Sequence, residues 1–144
     1  MLHSPLTAIA AFFEAIMNKN TAEICAAYVP SAETYVVLEG PRYTTLGYEN
    51  IAKGWGDFCD SPLTLKEIEW IEGPFEETNA DMAWVGGQIV LTVEAKEKQF
   101  AVQFRATFVL RKNEQNHWQI KHEHVSGPLP DPYGIGDWLK TTKT

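Results

Sequence analysis

Two imidazoles and a guanidinium are the side chains of this sequence best suited to moving a proton. His122 and His124 stand two residues apart in the stretch Trp118 to Pro128, WQIKHEHVSGP. Histidine is the side chain whose ordinary pKa lies nearest working pH. On a strand of period 2 the two would share a face with Trp118 and Ile120, leaving Gln119, Lys121 and Glu123 on the other. A sheltered His122 or His124 there would act as general acid or base, with Arg105 stabilising developing negative charge. The alternative, that both imidazoles are hydrogen-bonded structural groups, stays open, as does capture of Arg105 by Glu123, Glu94 or a backbone carbonyl.

His122-x-His124 also has the spacing of a two-histidine metal pair, but a site needs further ligands. Gln88, Glu94 and Glu123 are the candidates, and Glu123 alternates away, so no metal and no other cofactor is expected. No serine or cysteine sits in a GxSxG-type elbow, which leaves covalent hydrolysis without support. Around the proton-handling groups, Tyr28, Tyr35, Trp55, Phe58, Trp84, Gln88 and Thr107 are the expected ligand-binding residues. They have the mixture of aromatic walls and few polar groups that small-molecule cavities show.

The elements that must position these groups follow from spacing. Ser4 and Pro5 mark a helix start, and Leu6, Ile9, Ala10, Phe13, Ile16 and Met17 form one apolar stripe. Asn20 with Glu23 opens a second helix that Pro30 ends. Tyr35 to Leu38 and Tyr43 to Leu46 read as short strands, and Tyr48 to Phe58 as a third helix despite Gly54 and Gly56, which imply close packing against that helix. Four strands follow, Leu65 to Ile71, Met82 to Ala95, Phe100 to Arg111 and Trp118 to Ser126, with breaks at Gly73-Pro74, Lys96 to Lys98 and Asn113 to Asn116. Pairing Glu94 with Gln99 sets Ile89 beside Phe104 and Val85 beside Phe108. A four-residue turn then puts Arg105 opposite His124 and Thr107 opposite His122, a register that a slip of one residue would reverse.

In that register one face, from Ala83 to Val93 against Phe100 to Leu110, is continuously apolar. The other, with Trp84, Gln88, Arg105 and Thr107, is mixed and is expected to line the cavity. The Phe-rich face would then be the outer one, and too large an apolar patch for a monomer, so a homodimer formed sheet to sheet is expected.

The order of elements, closed by WQIKHEHVSGP, resembles the nuclear transport factor 2-like superfamily over about Leu6 to Pro128. Within it the chain is most similar to the SnoaL-like branch related to the association domain of calcium/calmodulin-dependent protein kinase II, which shares a Trp followed by His-x-His-x-Ser-Gly. The resemblance implies an α+β fold: a cone-shaped, strongly bent antiparallel sheet with three helices on one face, cystatin-like in outline. Thr107 and Val125 stand where association domains tend to carry arginine, and the aspartate and tyrosine set of ketosteroid isomerases has no clear counterpart.

The totals fit this reading. At 144 residues, 44% hydrophobic, the chain suits one domain, 1–144, with its core over 6–128 and a tail over 129–144 that folds across a partner or stays free. No apolar run reaches the roughly 20 residues of a membrane span. A net charge of −7 without basic clusters excludes nucleic acid as a natural partner. Cys25 and Cys59 read as reduced thiols, and the N-terminal stretch, which lacks a basic leader and contains Glu14, as mature structure, which points to the cytoplasm. The expected function is binding of an unknown small ligand, with isomerase, cyclase or dehydratase-type acid/base chemistry on an apolar carbonyl or carboxylate compound. Its rival is a non-catalytic association module with a vestigial pocket.

Overall fold

The computed structural model describes residues 4–139. Ser4 caps the first helix, α1 (Pro5–Met17), its Oγ accepting from the Thr7 amide at 3.0 Å. Asn20 does the same for α2 (Thr21–Ala26), accepting from the Glu23 amide at 3.1 Å. Then come β1 (Tyr35–Val37), β2 (Thr45–Leu46), α3 (Tyr48–Asp60), β3 (Thr64–Asn79), β4 (Met82–Ala95), β5 (Lys98–Lys112) and β6 (Trp118–Ser126). The six strands form one curved, unclosed sheet in the order β2-β1-β6-β5-β4-β3. All pairings are antiparallel except β1 with β6, which is parallel. The edge strand β3 runs through Gly73-Pro74, where a turn was expected; irregular pairing absorbs the proline, and the chain reverses at Ala80 and Asp81 instead.

The expected hairpin register holds. Lys96 and Glu97 both adopt positive φ, 52° and 64°, the geometry of a two-residue turn that matches strand twist. Glu94 therefore pairs with Gln99, Ile89 with Phe104 and Val85 with Phe108.

The two faces are the reverse of the expectation. Val85, Ile89, Leu91, Phe108 and Leu110 are buried beneath the helices, with Phe12 and Phe13 of α1 meeting Phe108 at ring-centroid distances of 6.1 and 5.9 Å. Apolar area decides this, because fully burying one such side chain is worth about 1.5–3 kcal/mol. The Phe-rich surface that argued for sheet-to-sheet pairing is thus mostly covered within one chain, Phe100 at its end remaining 52% exposed. The mixed face, with Trp84, Gln88, Arg105 and Thr107, forms the outside.

Candidate functional site

One irregularity in β6 decides which groups point inward. Leu110 pairs with Ile120 but Val109 pairs with His122, so Lys121 is an extra residue in the ladder. Such a bulge shifts the alternation by one position. Trp118 and Ile120 face the core, and after the bulge Glu123 and Val125 do so, while His122 and His124 turn out. Thr107 stands opposite His124 and Arg105 opposite Ser126, two residues from the expected register, so the histidines keep the face of Arg105 and Thr107.

Glu123 is buried to 2% exposure and receives a hydrogen bond from the Tyr28 hydroxyl at 2.5 Å. That hydroxyl accepts from Trp55 Nε1 at 2.9 Å. Three elements build the triad. Tyr28 lies past the end of α2 in a single parallel bridge to Ile120, fixed by Val29 N to Ile120 O at 2.9 Å and Ile120 N to Ala27 O at 2.8 Å. Trp55 comes from the buried side of α3, and Glu123 pairs in register with Val36 of β1. Phe12 closes the back, its ring edge-on to Tyr28 at 5.5 Å and to Trp55 at 6.0 Å.

Desolvation dominates the electrostatics. It pushes the Glu123 carboxyl up to about 8; the Tyr28 hydrogen bond opposes the shift and the like charge of Glu39 adds to it. Tyr28 is raised well above the usual phenol range, first by burial and then by Glu123. Glu39 is raised by desolvation too, an effect that its contact with solvent tempers. At neutral pH the triad holds a protonated carboxylic acid.

Beside it opens a cavity of about 700 Å³ between α3, the β1–β2 hairpin and the start of β3. Trp55 and Val36 form its inner wall; Leu38, Leu46, Ile51, Phe58 and Leu65 add apolar surface, and Glu39, Arg42, Lys53 and Asp57 bring charge. Tyr28 and Glu123 lie behind Trp55, out of contact with the cavity. A second hollow, about 590 Å³, lies between α1, α2 and the Trp118 end of β6, with no part in the triad.

The expected site residues therefore divide. Trp55 and Phe58 line the cavity, and Tyr28 stands one layer behind it. Tyr35, Trp84, Gln88, Arg105, Thr107, His122 and His124 belong to the outer face. There Gln103 donates to Gln88 at 2.5 Å and Gln88 to Glu72 at 2.6 Å, and Trp84 Nε1 donates to Glu77 at 3.1 Å. Arg105 is held by the Ser126 hydroxyl at 2.9 Å and the Gly127 carbonyl at 2.7 Å. His122 stacks on Tyr35 at 5.5 Å, its Nδ1 donating to the Tyr35 carbonyl at 2.8 Å. The two histidines and Arg105 thus cannot reach the cavity as expected, because the mixed face they share is the outer face of the sheet, away from the helices. Sequence reasoning weighed Glu123 only as a metal ligand or a partner of Arg105 and turned it away from the pocket; its signal is a carboxylate between two histidines in the terminal strand. Among the described residues no group of three or more histidine, cysteine or acidic side chains could hold a metal ion.

No curated protein matches the chain. Among solved structures it is similar to a nuclear transport factor 2-like superfamily protein from Salmonella enterica, with TM-score 0.74 and 20% identity, covering 91% of this chain and 93% of the other. A ketosteroid isomerase-like protein from Erwinia carotovora atroseptica gives TM-score 0.70 at 17% identity over 85% and 93%. A protein from Xanthomonas campestris named for the calcium/calmodulin dependent protein kinase II association domain gives 0.66 at 19% over 83% and 82%. At such identities the likeness carries the fold alone. In sequence, the model of the SnoaL-like domain matches residues 6–130, nearly the whole of this chain, which therefore belongs to the SnoaL-like domain family.

Proposed function

We propose that the protein binds a small, largely apolar carbonyl compound in the cavity beside α3 and performs cofactor-free proton transfer on it, in the manner of an isomerase, cyclase or dehydratase. The observation that carries this reading is the buried Glu123 carboxyl, which accepts from the Tyr28 hydroxyl, itself the acceptor of Trp55 Nε1, one layer behind the cavity wall. A neutral acid can give its proton to a carbonyl oxygen as charge builds there, while the α-proton passes to a solvent water admitted to the cavity; on reversal the α-carbon takes a proton from solvent and the enol returns its own to the Glu123 carboxylate. Because Trp55 separates acid from cavity, the chemistry requires its indole to swing aside. A neighbour named ketosteroid isomerase-like is compatible with this class. Two free cysteines suit a reducing compartment such as the cytoplasm.

The test is α-proton exchange of a panel of cyclic ketones in D2O, followed by NMR. Exchange above the buffer rate that falls by about a hundredfold or more in Glu123→Gln is expected. A panel that never exceeds buffer overturns the catalytic reading.

The sealed position of Glu123 favours a second reading, an association module without catalysis. On either reading a homodimer would use the outer face, where Phe75, Met82 and Trp84 remain 54%, 43% and 40% exposed.

A further inference from the structure

Gly54 lies in the middle of the α3 face that looks into the cavity. Asn50 and Ile51 stand one turn before it, Asp57 and Phe58 one turn after, and all five line the cavity together. Glycine there answers to neither of its usual causes. Its backbone is helical without positive φ, and a Cβ built on it would meet no atom within 4 Å. The close packing expected at Gly54 and Gly56 is absent at both positions. Each glycine still lowers helix stability by about 1 kcal/mol relative to alanine. What separates them is place, since Gly56 is not among the cavity-lining residues.

We infer that Gly54 is the base of a ligand subsite in which a flat, uncharged apolar ring lies against the bare α3 backbone, and that the missing side chain sets the size of ligand admitted. The inference rests on the cavity reading proposed above and adds the ligand's shape and charge. Leu38 and Leu46 of the hairpin segment and Phe58 of α3 line the same cavity. The charges around it balance: Lys53 pairs with Asp57 at 2.8 Å, and Glu39 offsets Arg42. A cavity whose charged lining residues balance, with leucine and phenylalanine among them, favours a neutral planar body over an anion.

The experiment is a fluorescence titration of the full chain with N-phenyl-1-naphthylamine, a planar uncharged probe, against its sulfonated relative 1-anilinonaphthalene-8-sulfonate. Wild type is expected to bind the neutral probe saturably and more tightly than the sulfonate. Gly54→Ala weakens it several-fold and Gly54→Phe by about tenfold or more, from loss of the space the ring occupies. Gly54→Ala and Gly56→Ala both raise the melting temperature, by about 3 °C, and Gly56→Ala leaves probe affinity unchanged. Binding lost in a variant that folds more firmly than wild type is an outcome no purely structural glycine produces.

Lack of saturable binding to wild type, or Gly54→Phe within twofold of wild type, overturns the subsite. Equal or tighter binding of the sulfonate overturns the uncharged ligand. Probe binding blocked at Gly54 without ketone exchange leaves the subsite standing and removes the catalysis. Ketone exchange indifferent to Gly54→Phe removes the subsite and leaves the catalysis elsewhere.

Discussion

A carboxyl held at about 8 instead of 4.5 makes folding depend on pH with the sign opposite to that of a salt-bridged acid. Below pH 4.5 Glu123 is protonated in folded and unfolded chains alike and contributes no pH dependence. Between 4.5 and 8 the unfolded chain has released the proton and the folded chain keeps it, so stability falls by about 1.4 kcal/mol per pH unit. Above pH 8 the full penalty, about 5 kcal/mol, is in place. Glu123→Gln keeps an acceptor for Tyr28 and cannot titrate. Denaturant unfolding at pH 5, 7 and 9 should therefore show wild type losing ground to the variant at each step, whereas parallel profiles would mean that Glu123 does not titrate in this window. For the outer-face imidazoles the expectation is indifference: His124→Ala should leave binding in the cavity unchanged, and a loss of binding would return His124 to the site.

Glycine 87 matters at the level of strands. A Cβ there would run into the Glu72 carbonyl, and one on Gly86 would press on the Ala106 carbonyl at 3.2 Å. Gly87 thus lets β3 lie close to β4 where its pairing slips around Glu72 and Phe75, and Gly86 lets β5 do so on the other side. Gly87→Ala should cost about 2–4 kcal/mol in chemical denaturation, as overpacking against backbone does; a change below 0.5 kcal/mol would show the strands free to part. Which elements exist was legible wherever a local signal dominates: Ser4-Pro5 for α1, and alternation on both sides of Lys96 for the central hairpin. The face of β6 was not, because a bulge leaves no mark in a stretch such as IKHEH, and one extra residue exchanges histidine for glutamate. The glutamate settles inside because Tyr28 meets it and the acid neutralises itself, a tertiary circumstance hidden from periodicity. The covered face was misread for a related reason, since aromatic content suggested a mate outside the chain when α1 supplies it.

For the whole molecule the open question is what meets the outer face. A scattering mass of twice the 16.2 kDa chain is expected, and Trp84→Arg, placing a charge amid Phe75 and Met82, should shift it toward the monomer at micromolar concentration. A wild type that stays monomeric would sink the dimer.

The sixteen-residue β3, last in the sheet, exposes a row of unpaired amides and carbonyls to any extended chain that drifts past. Glu67, Glu69, Glu72, Glu76 and Glu77 all lie along it, with Pro74 interrupting the donors. Those residues act as a fence against strand-by-strand polymerisation, since charge and proline are what make an open edge inhospitable. Replacing all five glutamates by glutamine would leave an amide-rich border of the kind that stacks, and thioflavin-positive fibrils at neutral pH would follow. If that variant stayed clear in solution, Pro74 and the slipped pairing alone would be guarding the border. A long strand with one open edge is safe in this protein while it stays ionised.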